Sequence, residues 1–175
     1  MTKKEGLHFY EISPEYVDYL RLFSPHIYKN KQETQKNTRK YIGIVLEING
    51  FYYFAPLTSF KEKHVHMKES LDFIKVKNYA VVNLNNMFPV PLNECSYVDF
   101  SKVKDTNYRN LLLAEYRYIR TIENKIYKNA EVLYNHKVNN GTSTSLAKRC
   151  NDFILLETKC NEYSCQNKGN KQKKI

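Results

Sequence analysis

The strongest pattern in the chain is a pair of apolar segments separated by two turn-forming residues. Residues 40–48 (KYIGIVLEI) are mostly apolar, and residues 51–57 (FYYFAPL) follow them after Asn49 and Gly50. Asn-Gly is a preferred two-residue turn because both central positions of a type I′ turn need a positive φ. The pattern predicts a β-hairpin. Pro56 cannot donate a ladder hydrogen bond, so the second strand is expected to fray or to lie at an edge there.

Weaker patterns on both sides of the hairpin predict further elements. Ser13 and Pro14 are typical of a helix start, and Pro25 indicates its end. Residues 24–40 lose all apolar periodicity, which predicts a long basic loop that either contacts RNA or is a solvated linker. The remaining predicted segments are strands near 71–77, 79–84 and 87–90, a long amphipathic helix over 107–135, a turn-rich break at 139–145 and a last segment of undetermined type at 146–159.

This order of elements is typical of an α+β fold in which helices pack on one side of an antiparallel sheet. The 175 residues are enough for one domain with its own core, predicted here to span residues 1–160. Residues 161–175 lack an apolar pattern and hold four lysines against one glutamate. That composition predicts a basic, flexible tail.

The charge of the chain favours a polyanionic partner. There are 28 lysines and arginines against 18 aspartates and glutamates, which gives a formal net charge of +10. Residues 161–175 supply +3 of this charge, so the body of the chain still carries +7. Together with 15 tyrosines, this excess favours RNA or DNA as the partner. A basic protein with no nucleic-acid role fits the charge about equally well.

Several classes of protein are not favoured. The first residues lack the apolar region of a signal peptide, and no apolar run approaches the length of a membrane span. The four cysteines form no C-x-x-C pair, so reduced thiols in a cytoplasmic protein are the simplest expectation. The sequence holds neither a glycine-rich phosphate loop nor the carboxylate cluster of a two-metal nuclease.

The segment that follows the hairpin carries groups suited to cleaving RNA without a metal ion. Such cleavage needs a base for the ribose 2′-hydroxyl, hydrogen-bond donors for the phosphate and an acid for the departing 5′-oxygen. Histidine and lysine can act as acid or base, and hydroxyl groups can donate hydrogen bonds. Side chains of these types are concentrated at Thr58, Ser59, Lys61, Lys63, His64 and His66.

Residues 41–59 (YIGIVLEINGFYYFAPLTS) resemble the hairpin of the ToxN/AbiQ family, which are RNA-cleaving toxins of bacterial type III toxin–antitoxin pairs. Members carry an IGIVLEI-like strand, a turn at glycine and a strand of the form Y-x-APL[TS]S. Further matching residues occur in the family's order across residues 8–159, among them Phe9-Tyr10, Lys61, His64, Asn83-Leu84, Tyr108, Ile119-Arg120 and Cys150-Asn151. The ordered set is more specific than the hairpin motif by itself.

The resemblance implies a twisted antiparallel sheet with surrounding helices, distantly like the Kid/MazF toxins. It implies a metal-independent, sequence-selective endoribonuclease that needs no cofactor. The expected substrates are A-rich single-stranded sites in cellular or phage messenger RNA, cut to 2′,3′-cyclic phosphate and 5′-hydroxyl ends. The expected antitoxin is a small pseudoknot RNA that the toxin itself processes and that forms a closed, ring-shaped assembly with it.

The resemblance also implies roles for particular residues. Thr58, Ser59 and Lys61 match the family's active-site T-S-x-K motif, and Arg39 stands where members can have a catalytic lysine. Because arginine stays protonated and is a poor acid or base, Lys40 is the alternative one position further on, although a shift of one residue would turn it to the other face of a strand. The residues expected to contact RNA are Tyr16, Tyr28, Lys29, Lys31, Lys36, Lys40, Lys63 and His64.

Three alternative functions stay open from the sequence. A non-catalytic RNA-binding protein would use the same basic groove and the same tyrosines. A metal-dependent phosphodiesterase would use His64 and His66 as ligands, although no third ligand is evident. A structural interaction protein would carry its positive charge incidentally.

Overall fold

The structure is a computed structural model that describes residues 5–30 and 38–172, with side chains up to residue 166. The strands are β1 (His8–Ile12), β2 (Tyr41–Ile48), β3 (Phe51–Ser59), β4 (Phe73–Val76), β5 (Ala80–Asn83), β6 (Phe88–Pro89) and β7 (Cys95–Tyr97). The helices are α1 (Pro14–Arg21), α2 (Thr106–Thr121), α3 (Glu123–Asn140), α4 (Ser145–Arg149) and α5 (Phe153–Gln172).

The strands form an antiparallel sheet in the order β4-β5-β3-β2-β1-β7, and β6 pairs with β3 beside this path. The predicted hairpin is confirmed, and Asn49 and Gly50 at its turn have φ angles of 51° and 79°. The strands predicted near residues 71–77 and 79–84 are confirmed as β4 and β5. Strands β1 and β7 were not predicted, because they are short and lie outside the strongly apolar segments.

Helices cover both faces of the sheet, which corrects the expectation that they pack on one side. Successive residues of a strand point to opposite faces, and in β3 the side chains of Tyr53 and Ala55 join one core while Phe54 joins another. The first core, on the face of Tyr53, includes buried residues of α2 and α3. The second core, on the face of Phe54, includes buried residues of α1 and α5.

The long helix predicted over residues 107–135 is two helices. Residue Ile122 has φ −115° and ψ 12°, outside helical values, and it separates α2 from α3. An ion pair of 2.7 Å between Arg120 and Glu123 spans this break. Apolar residues keep their helical spacing across it, since Ile119 and Ile126 both enter the same core, and the sequence pattern therefore did not reveal the break.

Helix α5 continues past residue 160, where the sequence predicts the start of a flexible tail. The side chain of Asp152 accepts a hydrogen bond of 3.1 Å from the backbone N–H of Leu155 at the start of the helix. Cys160 is buried, and the ring of Tyr163 packs at 5.0 Å from the rings of both Tyr16 and Tyr19. These contacts with α1 extend the ordered part of the chain beyond the predicted boundary. Residues 173–175 lie outside the described residues.

Asn151 connects three distant parts of the chain from a fully buried position. Its side-chain oxygen accepts a hydrogen bond of 2.8 Å from the Ser24 hydroxyl, and its amide donates one of 3.1 Å to the carbonyl of Met87. Its backbone N–H donates to the carbonyl of Asn85 at 2.9 Å. The residue therefore fixes the start of α5 against the segment after α1 and the segment before β6.

Substitution Asn151→Ala is expected to lower the free energy of unfolding by about 2–4 kcal/mol, because it leaves the buried Ser24 hydroxyl and the Met87 carbonyl without partners. Chemical denaturation measures this change. Asn161→Ala, at an exposed position of α5, is the control and should change the free energy by no more than about 0.5 kcal/mol. Equal effects of the two substitutions would contradict the role given to Asn151.

Candidate active site

The end of strand β3 carries the Thr58-Ser59 pair. Thr58 lies opposite Val81 of β5, and Ser59 lies opposite Ala80. Since successive side chains of a strand point to opposite faces, Thr58 and Ser59 face different sides of the sheet. Thr58 is half-buried and Ser59 is exposed. A ligand that crosses the end of β3 can therefore contact the hydroxyl groups of both Thr58 and Ser59.

Arg39 reaches Thr58 from the segment that precedes β2. Its Nη1 donates to Thr58 Oγ1 at 3.4 Å, and its Nε donates to the carbonyl of Lys29 at 3.2 Å. The guanidinium carbon lies 4.9 Å from the centre of the Tyr28 ring, within the range of a cation–π contact. The backbone N–H of Arg39 donates to the carbonyl of Asn30 at 2.8 Å. The guanidinium is thus held from three sides.

Lys40 points away from this arrangement. It is buried and forms an ion pair with Glu11 of β1. Its backbone carbonyl accepts a hydrogen bond of 2.9 Å from the N–H of Leu57, as in a continued strand pair. The alternation along that strand sends Lys40 to the face opposite Arg39. The structure therefore brings Arg39, and not Lys40, to Thr58.

Lys61 begins a short 3₁₀ turn, Glu62–His64, directly after β3. Its side chain is exposed. Its backbone N–H donates to Nδ1 of His64 at 3.0 Å, and the backbone N–H of His64 donates back to the Lys61 carbonyl at 2.8 Å. The ring of His64 is buried between Phe60 and Phe73, with ring centres 5.5 and 5.7 Å away. This pair of bonds fixes the backbone that carries the Lys61 side chain.

The pKa of His64 lies below the usual value of a histidine. Burial is the main cause, because it disfavours the charged ring, and the positive charges of Lys63, Lys61 and Lys75 act in the same direction. The ring is therefore neutral at pH 7, and its Nδ1 is free of a proton and can accept the hydrogen bond from Lys61.

Besides Lys40, which is buried and paired with Glu11, two of the predicted RNA contacts do not fit the structure. Tyr16 is fully buried, and its hydroxyl donates a hydrogen bond of 2.7 Å to the carbonyl of Pro89, so its ring is not available to stack on a base. His64 was expected to face RNA or act as an acid, but its ring is buried and its Nδ1 is already bonded. Both residues are explained by packing and by support of neighbouring groups.

Three of the other predicted contacts are exposed. They are Tyr28, Lys29 and Lys63, and Tyr28 supports the Arg39 guanidinium. Lys31 and Lys36 lie outside the described residues. The role of each in binding RNA stays a prediction.

Asn83, the last residue of β5, belongs to the site although the sequence did not mark it as a site residue. Its Nδ2 donates to Thr58 Oγ1 at 3.3 Å. It follows Val81 by two positions, and Val81 lies opposite Thr58, so the side chains of Asn83 and Thr58 point to the same face. The register of β5 against β3 creates this contact, and local sequence does not specify that register.

Within the described part of the chain, no group of three or more histidine, cysteine, aspartate or glutamate side chains is arranged to hold a metal ion. The two histidines of the metal-dependent alternative are also in different surroundings, since His64 is buried and His66 is exposed. No helix in the same part of the chain is both long and apolar enough to cross a membrane.

A family model described as toxin ToxN of the type III toxin–antitoxin system matches residues 8–161. The chain therefore belongs to this family of toxins, as its resemblance to the ToxN/AbiQ proteins implied. Among its relatives, endoribonuclease ToxN of Bacillus thuringiensis subsp. kurstaki is 34% identical over 171 residues, which cover 93% of this chain and 87% of the relative.

Solved structures agree with this family. One, from work on a processed non-coding RNA that regulates a bacterial antiviral system, superposes with a TM-score of 0.80 at 33% identity and covers 89% of this chain and 98% of the other. A second, from work on selective toxin inhibition by a non-coding RNA pseudoknot, has a TM-score of 0.76 at 31% identity, with coverage of 91% and 99%. The antiparallel sheet with surrounding helices is thereby confirmed as the family's fold.

The bond between the Lys61 N–H and His64 is expected to weaken in acid. Because the pKa of His64 is lowered in the folded state, the unfolded chain takes up its proton first, so the free energy of unfolding decreases as the pH falls below about 6.5. Protonation also places a hydrogen on Nδ1. Amide exchange followed by NMR should therefore show lower protection of the Lys61 N–H as the pH is lowered.

The substitution His64→Phe keeps a ring between Phe60 and Phe73 but removes the acceptor, and it should expose the Lys61 N–H to exchange already at pH 7. His66→Phe changes an exposed histidine of the same loop and should leave this amide protected. Unchanged protection of the Lys61 N–H in His64→Phe would show that the hydrogen bond does not hold this backbone.

Proposed function

We propose that this chain is an endoribonuclease toxin that cleaves single-stranded RNA without a metal ion and is held inactive by a pseudoknot RNA. The observation that carries the proposal is the Arg39–Thr58 pair at the end of β3, where a fixed guanidinium and a hydroxyl lie within 3.4 Å of each other. Two such donors suit a phosphodiester group. The relative from Bacillus thuringiensis is an endoribonuclease, which supports the same reaction class for this chain.

The reaction is a transesterification within the RNA. The ribose 2′-hydroxyl gives its proton to water as its oxygen attacks the phosphorus, the bond to the 5′-oxygen breaks, and that oxygen takes up a proton. The products are a 2′,3′-cyclic phosphate and a 5′-hydroxyl. Negative charge increases on the non-bridging oxygens as the phosphorane forms. Hydrogen-bond donors already in place for that charge lower the barrier, because they need no reorganisation.

Each group at the strand end has a role in this scheme. Arg39 binds the non-bridging oxygens, for which its planar, permanently charged guanidinium is suited. Thr58 donates a hydrogen bond to the same phosphate, and Ser59 orients the 2′-hydroxyl from the other side of the strand end. The exposed ammonium group of Lys61 gives a proton to the departing 5′-oxygen. Lys40, paired with Glu11 on the opposite face, has no part in the chemistry.

The proposed substrates are A-rich single-stranded sites in messenger RNA of the cell or of an infecting phage, which places the activity in the cytoplasm. Exposed Tyr28, Lys29 and Lys63 lie around the strand end and are suited to bases and phosphates next to the cleaved bond. Lys31 and Lys36 extend the same basic segment in the sequence.

The proposed antitoxin is a pseudoknot RNA that is cut from a longer transcript by the toxin and then closes with it into a ring-shaped assembly. A non-coding RNA pseudoknot inhibits the toxin of the related structure, which supports this partner. The net charge of +10 favours such an RNA electrostatically.

Cleavage of a long single-stranded RNA in the presence of EDTA tests the proposal. The purified chain should cut the RNA and leave 5′-hydroxyl ends. Thr58→Val keeps the shape of the side chain, and Arg39→Met keeps much of its length, but each removes a donor and should lower the cleavage rate by about 10²–10³-fold. Thr142→Val, in the turn between α3 and α4, is the matched control and should cut at the unaltered rate.

Loss of cleavage in EDTA that returns with added magnesium would support a metal-dependent enzyme instead. If the unaltered chain binds the RNA tightly without cutting it, the chain is an RNA-binding protein and the catalytic roles given to Thr58 and Arg39 are wrong.

A further inference from the structure

Two donors converge on the hydroxyl oxygen of Thr58. Arg39 Nη1 donates to Oγ1 at 3.4 Å, and Asn83 Nδ2 donates to it at 3.3 Å. A threonine hydroxyl has two lone pairs and one hydrogen. Both lone pairs are therefore occupied, and the hydroxyl can form a further hydrogen bond only as a donor. Among the residues that the structure describes, no acceptor takes this hydrogen.

Asn83 is held firmly enough to impose this orientation. It pairs with Phe73 at the end of the β4–β5 ladder. The next residue, Leu84, is buried and donates its backbone N–H to the carbonyl of Asp72 at 2.8 Å. Asp72 in turn forms an ion pair of 2.6 Å with Arg149 of α4. The position of the Asn83 backbone is thus fixed from both sides.

We propose that Asn83 is a positioning residue that makes Thr58 a hydrogen-bond donor to a non-bridging oxygen of the scissile phosphate. This inference rests on the proposed function and adds a residue to its site. The amide of Asn83 donates to Oγ1 and takes up the lone pair that a substrate hydroxyl could otherwise use. Thr58 then gives its hydrogen to the phosphate while the 2′-oxygen attacks and the 5′-oxygen departs, and no proton leaves Thr58.

The side chain at position 83 must be a neutral amide for Thr58 to donate its hydrogen to the phosphate. A carboxylate at position 83 has no hydrogen to donate, so the Thr58 hydroxyl would turn and donate to it. That turn withdraws the hydrogen from the phosphate and adds a negative charge beside it. The nearly isosteric change Asn83→Asp should therefore remove the function of Thr58 without removing Thr58.

The experiment measures single-turnover cleavage of an RNA with one cleavable site by the full chain and five variants. Asn83→Asp is expected to cut about 10²-fold more slowly, as Thr58→Val does. The double variant Asn83→Asp/Thr58→Val should be slower than Thr58→Val by much less than the factor that Asn83→Asp causes alone, because the shared hydrogen bond is already lost and only the added charge remains. Asn78→Asp, in the exposed turn between β4 and β5, adds the same charge and should leave the rate unchanged.

A second measurement replaces one non-bridging oxygen of the scissile phosphate with sulfur. If Asn83 had only a structural role, its substitution would not change the effect of the sulfur on the cleavage rate. With the unaltered chain, one of the two phosphorothioate diastereomers should be cut more slowly than the all-oxygen RNA. This stereospecific effect should decrease to the same extent in Thr58→Val and in Asn83→Asp, since neither offers the hydrogen bond from Thr58, while Arg39 still contacts the phosphate. Asn83→Ala, which adds no charge, should show an intermediate loss of rate because Arg39 still contacts Oγ1.

The possible outcomes are distinct. If the unaltered chain cuts no RNA, the proposed function fails and this inference fails with it. If the unaltered chain cuts and Asn83→Asp cuts equally well, the proposed function stands and the role of Asn83 is wrong. A double variant whose loss is the product of the two single losses would also overturn the inference, because Asn83 would then act independently of Thr58. Thermal denaturation of each variant confirms that it is folded.

Discussion

The alternation of side chains along the central β2–β3 hairpin is the constraint on which the rest of the structure depends. It sends Tyr53 and Ala55 to one core and Phe54 to the other, so each face needs its own layer of helices. At the end of β3 the same alternation separates Thr58 from Ser59. The groups of the candidate site therefore lie at the end of a central strand, where pairing with β5 fixes the positions of Thr58 and Ser59.

The candidate site combines fixed charge with fixed hydrogen-bond direction. The guanidinium of Arg39 is held by the Tyr28 ring, a carbonyl and Thr58. On the proposed function, this group binds the phosphate and does not transfer a proton. Proton transfer is then the proposed role of Lys61, whose backbone is fixed by a neutral, buried His64.

The parts of the fold set by local chemistry could be predicted from the sequence, and the parts set by distant contacts could not. Asn49 and Gly50 specify the hairpin turn by themselves, and the T-S-x-K motif begins with the last two residues of that hairpin. The break at Ile122 lies within an unbroken helical pattern of apolar residues. The burial of Tyr16 depends on α5, and the contact of Asn83 with Thr58 depends on the register of β5. These features depend on how the helices and strands pack together, so the local sequence does not predict them.

The hydrogen bonds that join distant segments have a consequence for the timing of activity during synthesis. Ser24 is bonded to Asn151, and Tyr53 in β3 donates to Glu157 of α5 at 2.7 Å, across 127 and 104 positions of the chain. Contacts of such high sequence separation form late in folding. A nascent chain on the ribosome can complete both cores only after residue 160 has emerged. On the proposed function, the unfinished toxin would lack a fixed site and could not cut the message from which it is being translated.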